Sequence, residues 1–101
     1  MPSIETLKAF AEERPDDPFP VYALAMEHKR QGALEEADRV FRDLRRRHPD
    51  YLPQYLIHGQ VLEGMGGGDA AAEAYRLGLE VARRTGEAHA EEELQEALDA
   101  L

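Results

Sequence analysis

No cysteine and no tryptophan occur among the 101 residues. The first absence excludes disulfides, thiolate metal ligands and a cysteine nucleophile, and it fits a reducing compartment. Asparagine is missing too, and Lys8 and Lys29 are the only lysines, so the basic side chains are mostly arginine. That bias fits either a codon-biased genome or a salt-rich or hot habitat. No apolar run approaches the roughly 18 residues that span a bilayer. The opening MPSIETLKAF has no basic segment followed by an apolar one, so no signal peptide is expected. These gaps lead to the expectation of a cytoplasmic protein with no membrane partner. Positive charge is also in deficit. A net charge of −9 repels phosphate backbones and anionic lipid, which argues against a nucleic-acid partner. The length suits one small domain of modest stability.

What is present is helical periodicity, cut at intervals by proline and glycine. Ile4, Leu7, Phe10 and Ala11 make one apolar face of a first helix over 4–14, which Ser3 can cap and Pro15 ends. A second helix over 19–31 follows Asp17 and Pro18 and stops at Gly32. It has two useful faces: Val21, Leu24, Ala25 and His28 on one side, Tyr22, Met26, Lys29 and Arg30 on or near another. A third helix over 34–48 carries the stripe Ala37, Val40, Phe41 and Leu44. Glu35 and Glu36 begin it and Arg45, Arg46, Arg47 and His48 finish it, an order that suits the helix dipole. Glu35 with Arg39 and Asp38 with Arg42 add i,i+4 pairs. After Pro49 a fourth helix over 52–65 packs through Tyr55, His58, Gly59, Leu62 and Met65. A fifth over 70–84, capped by Asp69, packs through Ala71, Ala74, Tyr75, Gly78 and Ala82. Gly78 inside a helix costs about 1 kcal/mol against alanine, which is tolerable where a neighbouring helix must come close. The sixth, over 88–101, has one apolar stripe, Ala90, Leu94, Ala97, Leu98 and Leu101, and is acidic elsewhere, as suits the end of a stack.

The pattern repeats. A shift of 34 takes Pro15 to Pro49, Leu7 to Phe41 to Tyr75, Phe10 to Leu44 to Gly78, Ala25 to Gly59 and Gly32 to Gly66. A period of that length with paired helices resembles the tetratricopeptide repeat. Ala25 and Gly59 match that family's small residue in the front helix. Ala37 and Ala71 match the small residue of the back helix, Phe41 and Tyr75 its aromatic, and Pro49 its closing proline. Arg83 replaces the second proline, His58 stands at a leucine position, and His28 and Leu62 stand at the tyrosine position, so the second repeat is the more degenerate.

The resemblance implies an all-α, right-handed antiparallel array of helix hairpins, about six helices in one domain. Residues 1–17 would be a half-repeat, 18–51 repeat one, 52–85 repeat two and 86–101 a capping helix. It also implies a concave groove lined by the second and fourth helices, which takes a peptide or helix of a partner protein. The groove side chains would be Phe19, Tyr22, Met26, Lys29, Arg30, Tyr51, Leu56, Gln60 and Glu63. Some relatives grip a terminal carboxylate with a lysine and asparagine clamp; Met26 and Gln60 stand where those asparagines would be. A self-associating homodimeric scaffold is the alternative, because a half-repeat at the start leaves Ile4, Leu7 or Phe10 partly uncovered.

Nothing points to an enzyme or a cofactor. Gly66-Gly67-Gly68 lacks the lysine and serine or threonine of a phosphate loop. His89 and Glu93 have a metal-compatible spacing without an HExxH motif, and His28, His48 and His58 read as packing or helix-end residues. No hydroxyl stands beside an evident base. The expected sets of catalytic, cofactor-binding and metal-binding residues are therefore empty.

Overall fold

The computed structural model describes residues 3–101 and contains, among them, six α-helices and no strand. They are α1 (Ile4–Glu13), α2 (Pro18–Arg30), α3 (Leu34–Arg47), α4 (Pro53–Gly64), α5 (Gly68–Thr85) and α6 (Ala88–Asp99). The chain divides between Tyr51 and Leu52 into two compact units. The first holds α1 to α3, with α2 packed on both α1 and α3; the second holds α4 to α6, with α4 packed on both α5 and α6.

Local chemistry sets the helix ends. The Ser3 hydroxyl accepts from the Thr6 N–H at 3.2 Å, and the Asp17 carboxylate accepts from the Phe19 N–H at 3.0 Å, each satisfying a donor that the first turn leaves orphaned. Pro18 occupies the first helical position of α2, where its missing N–H costs nothing. The turns after α2 and α4 are copies of each other. Gly32 and Gly66 adopt φ of 77° and 80°. The next residue donates back across the turn, Ala33 to the His28 carbonyl at 2.9 Å and Gly67 to the Leu62 carbonyl at 2.8 Å. That is the Schellman closure, repeated at the period seen in the sequence.

Phe41 and Tyr75, the large residues of the repeat, are fully buried. In the second unit α5 supplies most of the core, with Tyr55, Leu62 and Leu94 packed against it from its neighbours. The expectation for Gly78 is met: a Cβ there would stand 2.6 Å from the Tyr55 Cβ and 3.0 Å from the Leu94 methyl groups. Gly59 is tighter, because a Cβ would meet the Tyr75 ring at 2.1 Å.

Three local expectations need correction, those for Asp69, Met65 and Arg39. Asp69 lies inside the first turn of α5, and Gly67 is the capping residue, without a side-chain bond. Met65 follows the end of α4 and is exposed, because the chain has already turned toward Gly66. Phe10 is 43% exposed, as a half-repeat implies, although it shares a stripe with buried Leu7. Arg39 pairs with Glu36 at 2.6 Å, one residue along from the expected Glu35, while Arg42 pairs with Asp38 at 3.0 Å as anticipated. The arginines at the end of α3 serve the helix itself, Arg46 and Arg47 both reaching Asp43.

Candidate functional site on the second helix

Helix α2 buries Val21, Leu24, Ala25 and His28. Part of its other face stays open: thirteen residues carry two apolar stripes, and α1 and α3 leave Phe19 and Met26 uncovered. On the open face Phe19 is 60% and Met26 36% exposed. With Leu7 of α1, Tyr22 and Ala23 they line a mostly apolar concavity of about 520 Å³, edged by Lys29 and Arg30. Every residue around it belongs to α1 or α2.

Tyr22 is the hinge between this face and the interior. Its ring lies edge-on to Phe41 at 6.4 Å and 63°, and edge-on to Tyr51 at 5.4 Å and 66°, geometries that aromatic quadrupoles favour. Partial burial pushes the phenol of Tyr22 upward in pKa. That of Tyr51 rises for the same reason, with the nearby Tyr22 and Asp17 adding to the effect. Both therefore present neutral, rigid surfaces.

Glu27 is the residue that sequence reasoning missed. It is buried, and its carboxylate accepts from the Arg30 Nε at 3.0 Å and from the Gln31 Nε2 at 2.9 Å, with a further bond from the Arg30 terminal nitrogen. Those bonds, Arg30 first and Gln31 second, hold its pKa down to about 2, and they raise that of Arg30 in return. Arg30, expected as a contact for an acidic partner, thus has an internal carboxylate already. Lys29 is the cation left over.

The predicted site residues of the second unit lie along α4. Leu56 packs partly into the core, Gln60 is exposed, and Glu63 accepts a hydrogen bond from the Tyr75 hydroxyl. Burial first, and then this carboxylate, raise the Tyr75 pKa well above the usual phenol range. Two of the three therefore have structural duties. Elsewhere His89 stands 3.4 Å from Glu93 on exposed α6, and among the described residues no group of three His, Cys, Asp or Glu is placed to hold a metal ion. No helix among them is long and apolar enough to cross a membrane.

No family model and no curated protein matches the sequence. Solved structures do. A crystal structure of a tetratricopeptide repeat domain protein from Salinibacter ruber is 38% identical over 81% of this chain and 92% of its own, with a TM-score of 0.77. A solution NMR structure of a tetratricopeptide repeat domain protein from the same organism is 38% identical over 83% of this chain and 85% of its own, with a TM-score of 0.78. This chain belongs to the tetratricopeptide repeat family. The fold is accordingly that of a generic protein-interaction repeat module. Within the tetratricopeptide repeat, Ala25 and Phe41 hold the small and aromatic positions of one helix hairpin, Gly59 and Tyr75 those of the next, and all four are buried.

Proposed function

We propose that this tetratricopeptide repeat protein is a non-catalytic adaptor that binds a peptide or helix of a partner protein along the open face of α2. One observation carries the reading: Phe19 and Met26 stand exposed beside an apolar concavity of about 520 Å³. Large apolar groups clustered on a highly charged chain mark an interaction surface. Met26 supplies an adaptable contact, Phe19 and Tyr22 rigid ones, and Lys29 favours a partner with a carboxylate nearby. Residues 18–51 and 52–85 serve as the two repeats and 86–101 as the cap, in a cytoplasmic setting that suits a cysteine-free chain.

The test replaces Phe19, Met26 and Lys29 together, by Glu, Glu and Glu. Tyr22 is spared because it packs on Phe41 and Tyr51, and Arg30 because it holds Glu27. Proteins captured from native cytoplasm by the wild type should be lost from the variant while the melting temperature holds. Unchanged capture removes the assignment. The exposure of Phe10 favours a second reading, a homodimer that buries α1. Sedimentation at micromolar concentration separates the two, since a tight dimer closed over Phe10 and Met26 leaves the α2 face unavailable.

A further inference from the structure

The corner between α1 and α2 is part of an arrangement that the second unit shows complete. There α4 lies against both α5 and α6. The three helices meet at Gly78, where a Cβ would crowd Tyr55 of α4 and Leu94 of α6. Leu94 is 2% exposed as a result. Two periods earlier in the sequence, Gly78 becomes Phe10, Tyr75 becomes Leu7, and Leu94 becomes Met26. Helices α1 and α2 pack on each other as α5 and α6 do. The third helix of the first unit, α3, meets α2 elsewhere, through the Tyr22–Phe41 contact, and contributes nothing to the lining of the concavity. So Phe10 and Met26 are exposed at the two positions whose equivalents α4 covers.

We propose that the α1–α2 corner is a helix seat, occupied by one amphipathic helix of a partner protein that lies parallel to α2 with an acidic flank toward Lys29. This rests on the α2 reading above and specifies its ligand. The seat suits a helix because both walls are helices with internally satisfied backbones, so no edge is offered to an added strand. Parallel alignment follows because α4 and α6 both run antiparallel to α5, to which short turns join them. The acidic flank follows from charge: Glu27 is neutralised by Arg30, which leaves Lys29 as the local excess on a chain of net charge −9. Size complementarity is specific as well. Phe10 fills space that Gly78 leaves open, so the guest needs a small residue opposite it. Leu7 is smaller than Tyr75, so the guest does not need the glycine that α4 carries at Gly59. The α6 of a second copy fits poorly in this seat, because two such acidic chains repel and its exposed side, His89, Glu92, Glu93 and Glu96, has no apolar anchor.

The probe is a fluorescein-labelled, lactam-stapled peptide of about 16 residues, some four turns. It carries leucines at i, i+4 and i+7, an alanine facing Phe10 and glutamates on one flank. One control has a central proline in place of the staple, and the other has a lysine flank. The stapled acidic peptide should bind the full chain and shift the Met26 methyl resonance. Met26→Glu, an exposed change expected to leave the melting temperature alone, should weaken binding about tenfold or more, and Lys29→Glu several-fold. A nitroxide on the peptide N-terminus should broaden Phe19 resonances more than those of Arg30. Equal binding of the proline control overturns the helix seat and leaves the α2 face standing. Binding indifferent to Phe19→Glu and Met26→Glu, or no binding by either peptide, overturns both. The reverse broadening pattern overturns the parallel orientation. Dimerisation that Met26→Glu abolishes would make a second copy the occupant and overturn the partner helix.

Discussion

Helices α2 and α6 stand two periods of 34 apart, at equivalent steps of the repeat, and they bury opposite faces. In α2 the positions Val21, Leu24, Ala25 and His28 are buried while Phe19 and Met26 lie open; in α6 the corresponding His89, Glu92, Glu93 and Glu96 are exposed while Leu94 is buried. Burial in a repeat protein is thus set by which neighbour is present, and composition follows it. The face of α6 that meets water is charged, whereas the face of α2 that meets water keeps a phenylalanine and a methionine. Retaining large apolar side chains where nothing in the unit covers them has a cost in solubility, which the docking face proposed on α2 would account for.

The comparison is most directly broken at the pair Leu94 and Met26. Leu94→Ala removes a side chain packed between α4 and α5, and urea denaturation should show a loss of about 2–5 kcal/mol. Met26→Ala at the equivalent position should change stability by no more than about 0.5 kcal/mol. Equal losses would mean that Met26 is already covered in solution.

The small residues of the two front helices sharpen it. Alanine is the better helix former, so Gly59→Ala would ordinarily stabilise. Here the new methyl group would strike the buried ring of Tyr75, and a cost of about 1–3 kcal/mol is expected instead. Ala25, opposite Phe41 by the repeat, carries that methyl already, and Ala25→Gly should cost about 1 kcal/mol from helix propensity alone. A stabilised Gly59→Ala protein would show that the ring of Tyr75 yields.

These pairs also indicate what could be read before any coordinates. The period was legible because turns, small residues and aromatics recur together, and each has a separate physical cause: left-handed backbone at Gly32 and Gly66, close approach at Gly59, bulk at Phe41 and Tyr75. The stripe marks Phe10 as apolar without saying whether a helix lies over it; the half-repeat pattern is what signals its exposure. Leu7 stands with Ile4 and Phe10 among the residues that a half-repeat would leave partly uncovered, but it is buried, and its place in the concavity depends on how α1 crosses α2. Glu27 was invisible for a different reason. A glutamate amid charged residues reads as solvated, and only its burial beside Arg30 and Gln31 turns three ordinary polar residues into a clamp.

Tyr75→Phe makes the second unit resemble the first, where Phe41 has no hydroxyl. The change deletes the hydrogen bond to Glu63, and since Glu63 stays hydrated the loss should be about 1 kcal/mol. Glu63→Gln in the same background should then add little, a coupling readable in a double-mutant cycle. Because the folded-state phenol pKa is raised, the wild type should also lose stability as pH climbs above about 10, and Tyr75→Phe should remove that part of the alkaline slope.

The smallest expected effect separates the two units by acid. Glu27 of α2 and Gln95 of α6 are equivalent in the repeat; Gln95 donates to Asp99 at 2.9 Å and has no proton to gain. Glu27 has its pKa lowered from 4.5 to about 2 by Arg30 and Gln31. Its ionised form is therefore favoured by folding. The stability it contributes is complete above pH 4.5 and is lost as pH falls through about 2, because the unfolded chain takes up the proton first. The diagnostic is a difference between two proteins. Urea denaturation from pH 6 to pH 2 should show a shallower acid slope for Glu27→Gln than for the wild type, with the divergence confined to the window below pH 4.5. Gln95→Glu should not create such a slope, since α6 offers Leu98 and Asp99, not an arginine and a glutamine, at the positions that would have to clamp it. Matching slopes for Glu27→Gln and the wild type would mean that Arg30 is free in solution, and Arg30 would then join Lys29 as a cation available to an acidic guest.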